Sequence, residues 1–98
     1  MALNQSRHWL VAYDISDPKR LARVYRFMVK KGVPLQFSLF SVTMTTRQAQ
    51  ALGAQLCNLI DRKEDDLRLY PLPDGAVIER LGKRGLLDEN LFNEGTGG

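Results

Sequence analysis

The first residue in this sequence placed to do chemistry is an aspartate at the end of an apolar run. Asp14 follows Trp9-Leu10-Val11-Ala12-Tyr13 and precedes Ile15. An aspartate at such a position often forms a turn or caps a helix, and that reading stands beside a chemical one. If a two-fold axis related two copies of the chain, two Asp14 carboxylates would face one cleft, where they repel unless a proton or a cation lies between them. Mg²⁺ suits that place, because it takes oxygen ligands, keeps several waters, and often needs only one or two carboxylates plus phosphate oxygens. Such an ion orients and acidifies a water for in-line attack on a phosphodiester. Asp17 and the run Glu64-Asp65-Asp66 are further acids, which capping and solvation explain more simply than ligation. One carboxylate per chain is a thin ligand set, so any nuclease built on it is expected to be slow.

A second constellation is cationic. Between Lys19 and Lys31 the chain carries Lys19, Arg20, Arg23, Arg26, Lys30 and Lys31 and no acidic residue. Lys19, Arg23, Arg26 and Lys30 fall on one face of a helix. A row of like charges is often only a solvated surface, but a single sign sustained over so many turns can track a phosphate backbone, with salt-sensitive and sequence-blind affinity. Tyr13, Phe37 and Phe40 are aromatics able to stack on bases, although Phe37 is expected in the core or an interface. His8 is the single histidine, Ser38 lacks an evident base, and Cys57 has no cysteine partner. Ser-His-Asp chemistry and a thiolate metal site are therefore both set aside, and Cys57 reads as structural. The basic-aromatic signature of an RNA-recognition module is also absent.

These residues need elements to hold them. Residues 9–15 alternate as a strand, with Trp9, Val11, Tyr13 and Ile15 on one face and Leu10, Ala12 and Asp14 on the other. Both faces carry apolar residues, which predicts cover on both: helices on one, a partner on the other. Asp17 as N-cap and Pro18 at the first helical position open a helix, and Gly32 is its expected stop. Leu21, Val24, Tyr25 and Met28 form its core stripe. In residues 34–44 the alternation changes phase between Leu39 and Phe40, with no turn signature, which predicts a bulge or bend dividing two short strands. Thr45-Thr46-Arg47-Gln48 is a capping box before the stripe Ala49, Leu52, Leu56, Leu59 and Ile60. A strand over Leu67–Tyr70 closes at Pro71, and residues 76–80 are expected to add an edge strand.

The order β-α-β-β-α-β predicts an α+β, ferredoxin-like sandwich. The chain is read as a single domain over residues 1–98, with its core at about 9–80 and residues 93–98 disordered. With 98 residues, it bounds itself to one modest core, and a homodimer is a common way for such a chain to bury more. A net charge of +3 is mild. No apolar run nears the roughly 20 residues that span a bilayer, no leader-like stretch opens the chain, and one cysteine fits a reducing cytoplasm.

Four segments in register resemble the small Cas-two proteins of CRISPR adaptation. They are Tyr13-Asp14-Ile15, Asp17 with the basic helix start, Gln36-Phe37-Ser38-Leu39-Phe40 after Gly32, and Asp65-Asp66-Leu67-Arg68-Leu69-Tyr70-Pro71. The resemblance runs from about Trp9 to Leu72. It implies a homodimer with sheets packed face to face, metal-dependent endonuclease activity on RNA or DNA, and a role in spacer acquisition beside the family's integrase partner. It also implies that Asp14 holds the metal, that Tyr13 beside it belongs to the catalytic site, and that Arg23 and Phe40 occupy the family's helix-arginine and aromatic positions. Where members often carry a basic residue before the glutamine, this chain has Val33-Pro34-Leu35. Two alternatives stay open at this point: a non-enzymatic DNA-binding scaffold that bridges integrase copies, and a related ribonuclease toxin of the virulence-associated type.

Overall fold

The computed structural model describes residues 5–75. Its elements are β1 (Arg7–Asp14), α1 (Pro18–Met28), β2 (Val33–Gln36), β3 (Leu39–Met44), α2 (Thr46–Cys57) and β4 (Asp66–Pro71). The strands form one antiparallel sheet in the order β2-β3-β1-β4. This is the expected α+β, ferredoxin-like βαββαβ arrangement. The edge strand expected over residues 76–80 and the chain end at 93–98 lie outside the described residues. No helix among those described is long and apolar enough to cross a membrane.

The core follows from the two periodicities. Trp9, Val11 and Tyr13 alternate onto one face of β1, where Phe40, Val42 and Met44 of β3 join them. Val24 and Met28 of α1 and Ala49, Leu52 and Leu56 of α2 close over that face. Each such large side chain taken from water contributes about 1.5–3 kcal/mol. The Trp9 indole Nε1 donates to the Met44 carbonyl at 3.1 Å, so the bulkiest ring is buried with its polar atom satisfied.

Both helix starts are as the sequence predicts. The Asp17 side chain accepts from the Arg20 N–H at 2.8 Å, and Thr45 and Gln48 make reciprocal capping-box bonds of 3.1 and 2.9 Å. The end of α1 differs from expectation. The helix stops at Met28, and the chain tightens through Lys30 N–H to Phe27 and Lys31 N–H to Met28 carbonyls. Gly32 is required for a different reason than a helix stop. A Cβ there would lie 2.4 Å from the Ser41 carbonyl oxygen and 2.6 Å from Val42 Cγ2, so only glycine lets the chain pass so close to β3.

The 34–44 segment does divide into two strands, but a tight reversal joins them. Gln36 pairs with Leu39 across a turn at Phe37-Ser38, and the register also shifts between Pro34 and Gln36. The turn carries none of the usual glycine or asparagine signals because β1 holds it from outside. Tyr13 N–H donates to the Ser38 carbonyl at 3.1 Å, and the Tyr13 hydroxyl to the Phe37 carbonyl at 2.9 Å.

Candidate functional site

Strand alternation sends Tyr13 and Asp14 to opposite faces of β1. Asp14 is exposed on the face that the helices leave open. The antiparallel register sets Asp66 of β4 directly opposite it, Arg68 opposite Ala12, and Tyr70 opposite Leu10. Together with Gln36 at the end of β2 and Ser38 of the β2–β3 turn, Ala12, Asp14, Asp66 and Arg68 line an open cleft of about 300 Å³. Asp14 makes no hydrogen bond or ion pair with another described side chain, whereas Asp66 Oδ2 accepts from Arg68 Nε at 2.8 Å.

Beside this open carboxylate stands a closed one. Arg20 Nε donates to Asp65 Oδ2 at 2.7 Å and a terminal Arg20 NH₂ to Oδ1 at 3.0 Å. The backbone N–H groups of Asp61 and Ser16 add bonds of 2.8 and 3.0 Å. The Asp65 side chain has no accessible surface, though it sits in the loop layer rather than the apolar core. The Arg20 hydrogen bond, followed by those of the Asp61 and Ser16 backbone, holds its carboxyl far below the ordinary range. Asp65 thus ties the β1–α1 loop to the α2–β4 loop, and the strand ends bearing Asp14 and Asp66 flank the tie. The run 64–66 therefore divides its work: Asp65 is committed to structure, and Asp66 reaches the cleft.

Tyr13 borders the same cleft, but its side chain turns away from Asp14. Its ring is buried beneath the sheet on the helix side, and its hydroxyl is committed to the Phe37 carbonyl. Burial, and then the proximity of Tyr25, push its pKa up to about 12, so it cannot serve as a proton acceptor near neutrality. It positions the turn that forms one wall of the cleft. Phe40 is corrected more sharply. Its ring is 0% exposed, with centroids of Tyr25 and Tyr13 at 5.5 and 6.3 Å, and no base can stack on it. Phe37 lies outside the core, 55% exposed, with its ring 4.8 Å from that of Tyr25.

Lys19, Arg23 and Arg26 are exposed along the outer side of α1, whereas Lys30, expected on the same helix face, is exposed in the turn beyond its end at Met28. None forms a salt bridge with a described residue. Arg20, in the same basic run, is the one consumed by Asp65.

As for a divalent ion, no group of three His, Cys, Asp or Glu side chains converges among the described residues. Asp14 and Asp66 give the chain two carboxylates on this face, and Arg68 already engages Asp66. This donor set does not fit a protein-caged ion. It fits one that keeps most of its waters and takes further oxygens from phosphate, with Asp14 as the unshared carboxylate.

Residues 7–79 match the family model described as CRISPR associated protein Cas2. The chain belongs to the Cas2 family. A CRISPR-associated endoribonuclease Cas2 of Nitrosomonas europaea is 44% identical over 75 residues, covering 76% of this chain and 71% of the relative. One of Thermodesulfovibrio yellowstonii is 45% identical over 74 residues, covering 76% and 81%. Among solved structures, a hypothetical protein from Thermus thermophilus superposes with a TM-score of 0.70 at 31% identity, covering 80% of this chain and 93% of that one. Streptococcus pyogenes Cas2 at pH 6.5 gives 0.63 at 32% identity, covering 69% and 88%. The Cas2 match takes in Asp14, the basic helix, the Asp65 tie and Arg68 alike.

Two features of this Cas2 site were not singled out from the sequence: the place of Asp66 and Arg68 on the Asp14 face, and the Asp65–Arg20 tie. The first had a signal. In Asp66-Leu67-Arg68-Leu69-Tyr70 the polar residues take one parity and the leucines the other, which marks β4 as half-buried with a polar outer face. The second had none, because Arg20 and Asp65 are brought together only by tertiary structure.

Proposed function

We propose that this chain acts as a homodimer, as a Mg²⁺-dependent endonuclease of CRISPR adaptation that hydrolyses phosphodiester bonds in single-stranded RNA, duplex DNA or both, alongside the integrase of its system. The observation that carries this reading is the exposed Asp14 carboxylate, unpartnered among the described side chains, at the rim of a cleft that also holds an arginine. The relatives' name of endoribonuclease points the same way. The open sheet face supports the dimer. Leu10, Ala12 and Leu39 are only partly covered there, Val33 and Tyr70 are exposed, and a second copy laid on that face would set two Asp14 side chains toward one another. Bound Mg²⁺ would supply an acidified water as nucleophile. The part of the chain itself is to hold the ion on Asp14, with the Asp65 tie and the Tyr13-held turn fixing both sides of the cleft.

The test compares wild type with Asp14→Asn on RNA and duplex DNA, with Mg²⁺ and with a chelator. Cleavage is expected only from wild type with the metal, and sedimentation should give the mass of a dimer. Equal cleavage by the variant would sink the reading.

A second reading has its own observation. Three cations line the outer side of α1 and Lys30 follows just past its end, none in a salt bridge with a described carboxylate, which suits a scaffold that holds a nucleic-acid backbone without cutting it. Spacer acquisition in cells separates the two. The scaffold reading expects Asp14→Asn to support acquisition and Arg23→Glu with Arg26→Glu to abolish it; the nuclease reading expects Asp14→Asn to stop it.

A further inference from the structure

The sheet divides the charges of this molecule between two sides. The helices cover the face bearing Trp9, Val11 and Tyr13, and the cations of α1 point outward from that helical layer. Asp14 opens on the opposite face. A phosphate held along α1 alone therefore lies a full layer away from the carboxylate that would hold the metal. A reacting phosphate needs a partner on the Asp14 side of the sheet.

Arg68 stands there. It lies across from Ala12, whose methyl group leaves room above it, and two residues along β4 from Asp66, the cross-strand neighbour of Asp14. It is the cation among the residues lining the cleft. Its side chain is 64% exposed, and Nε donates to Asp66 Oδ2 at 2.8 Å. That bond, with Tyr70 as a further side-chain hydrogen-bonding neighbour of the guanidinium, orients the planar group, whose five N–H donors can still reach a second anion.

We propose that Arg68 is the phosphate-binding residue of the Asp14 cleft, gripping a non-bridging oxygen of the scissile phosphodiester through its terminal NH₂ groups while Asp66 fixes its orientation through Nε. The inference rests on the reading of Asp14 as the metal-holding carboxylate, and it gives the two facing aspartates different work. Asp14 takes the cation, and Asp66 aims the arginine. A lysine, as a point charge without the fork, would fill the role only in part.

The test measures steady-state cleavage of a short RNA and a short DNA duplex with Mg²⁺ by wild type, Arg68→Gln, Arg68→Lys and Asp14→Asn. In parallel, binding is measured in chelator, with normal oligomers and with oligomers carrying a neutral methylphosphonate at the mapped cleavage position. Arg68→Gln should lower kcat/KM roughly ten- to a hundredfold, and Arg68→Lys should recover part of it. The methylphosphonate should weaken binding by wild type and make no difference to Arg68→Gln. If Arg68→Gln keeps both its kcat/KM and its discrimination against the methylphosphonate while Asp14→Asn is inactive, the role of Arg68 is overturned and the Asp14 reading stands. Cleavage that ignores Asp14→Asn removes the Asp14 reading instead, and Arg68 is then judged on the methylphosphonate comparison alone. Absence of any metal-dependent cleavage by wild type overturns both. Sedimentation of Arg68→Gln as a smaller species than wild type also overturns the proposal, because the arginine then holds a second copy of the chain rather than a phosphate.

Discussion

Asp14 and Asp65 sit at neighbouring loop ends and are treated in opposite ways. Asp65 accepts from Arg20, from the Asp61 and Ser16 backbone, and has no accessible surface. Asp14 is exposed and makes none of these bonds. A carboxylate whose lone pairs are all engaged can hold loops together but cannot take a cation or a substrate. One left open costs stability, since like charges directly across a sheet repel, and Asp66 stands directly across. The protein satisfies one acid fully and leaves its neighbour free.

The largest effects come from exchanging the two. Asp14→Asn should abolish metal-dependent cleavage, by more than the ~100-fold that loss of an outer-shell metal partner brings, and should raise stability by about 0.2–1 kcal/mol by relieving the facing charges. Asp65→Asn should do the reverse, lowering the melting temperature while each folded molecule still cuts. Thermal melts and single-turnover cleavage on the same preparations read both. An Asp14→Asn variant that melts lower, or an Asp65→Asn variant that folds as well as wild type, would break the contrast.

The tie should also show in a cycle. Arg20→Gln should destabilise like Asp65→Asn, and the double variant should fall well short of the sum, because both remove one interaction. Lys19→Gln, one residue away and exposed, should leave the melt within about 0.5 kcal/mol. The cycle is measured by urea denaturation, and strict additivity would dissolve the tie.

Acid sharpens the comparison further. The carboxyl of Asp65 is held below its ordinary value of 3.8, so its contribution is present above that pH and is lost as pH falls below it. The melting temperature of wild type should drop steeply under about pH 4, and that of Asp65→Asn should drop less. Parallel curves would show that the acid limb belongs to other groups.

Much of this scaffold was legible in the chain. Asp17-Pro18 and Thr45 to Gln48 declared both helix starts, since caps are local and use residues three apart. Alternation in β1 separated Tyr13 from Asp14, and the helical period set Lys19, Arg23 and Arg26 outside, while Lys30 fell past the helix end. What stayed hidden depended on distant partners. The Phe37-Ser38 reversal has no turn residues because Tyr13 holds it from another strand. Phe40 belongs to a motif that reads as a base-stacking position, yet its parity on β3 points it into the helices, between Tyr13 and Tyr25. In Asp65-Asp66, adjacent and identical acids part company because one turns toward Arg20 and the other toward the cleft.

The smallest effect tests the wall of the cleft. Tyr13→Phe removes one buried hydrogen bond, to the Phe37 carbonyl, and should cost about 1 kcal/mol with cleavage nearly unchanged. Its pH dependence gives the check a sign. The phenol is raised from 10.0 to about 12 by burial and by Tyr25, so its contribution is whole below pH 10 and fades as pH rises toward 12. The stability gap between wild type and Tyr13→Phe should therefore narrow across that interval, and urea denaturation at several alkaline pH values would follow it. A Tyr13→Phe variant that loses cleavage as completely as Asp14→Asn, while folding as expected, would return the hydroxyl to the chemistry and end its assignment as the anchor of the turn.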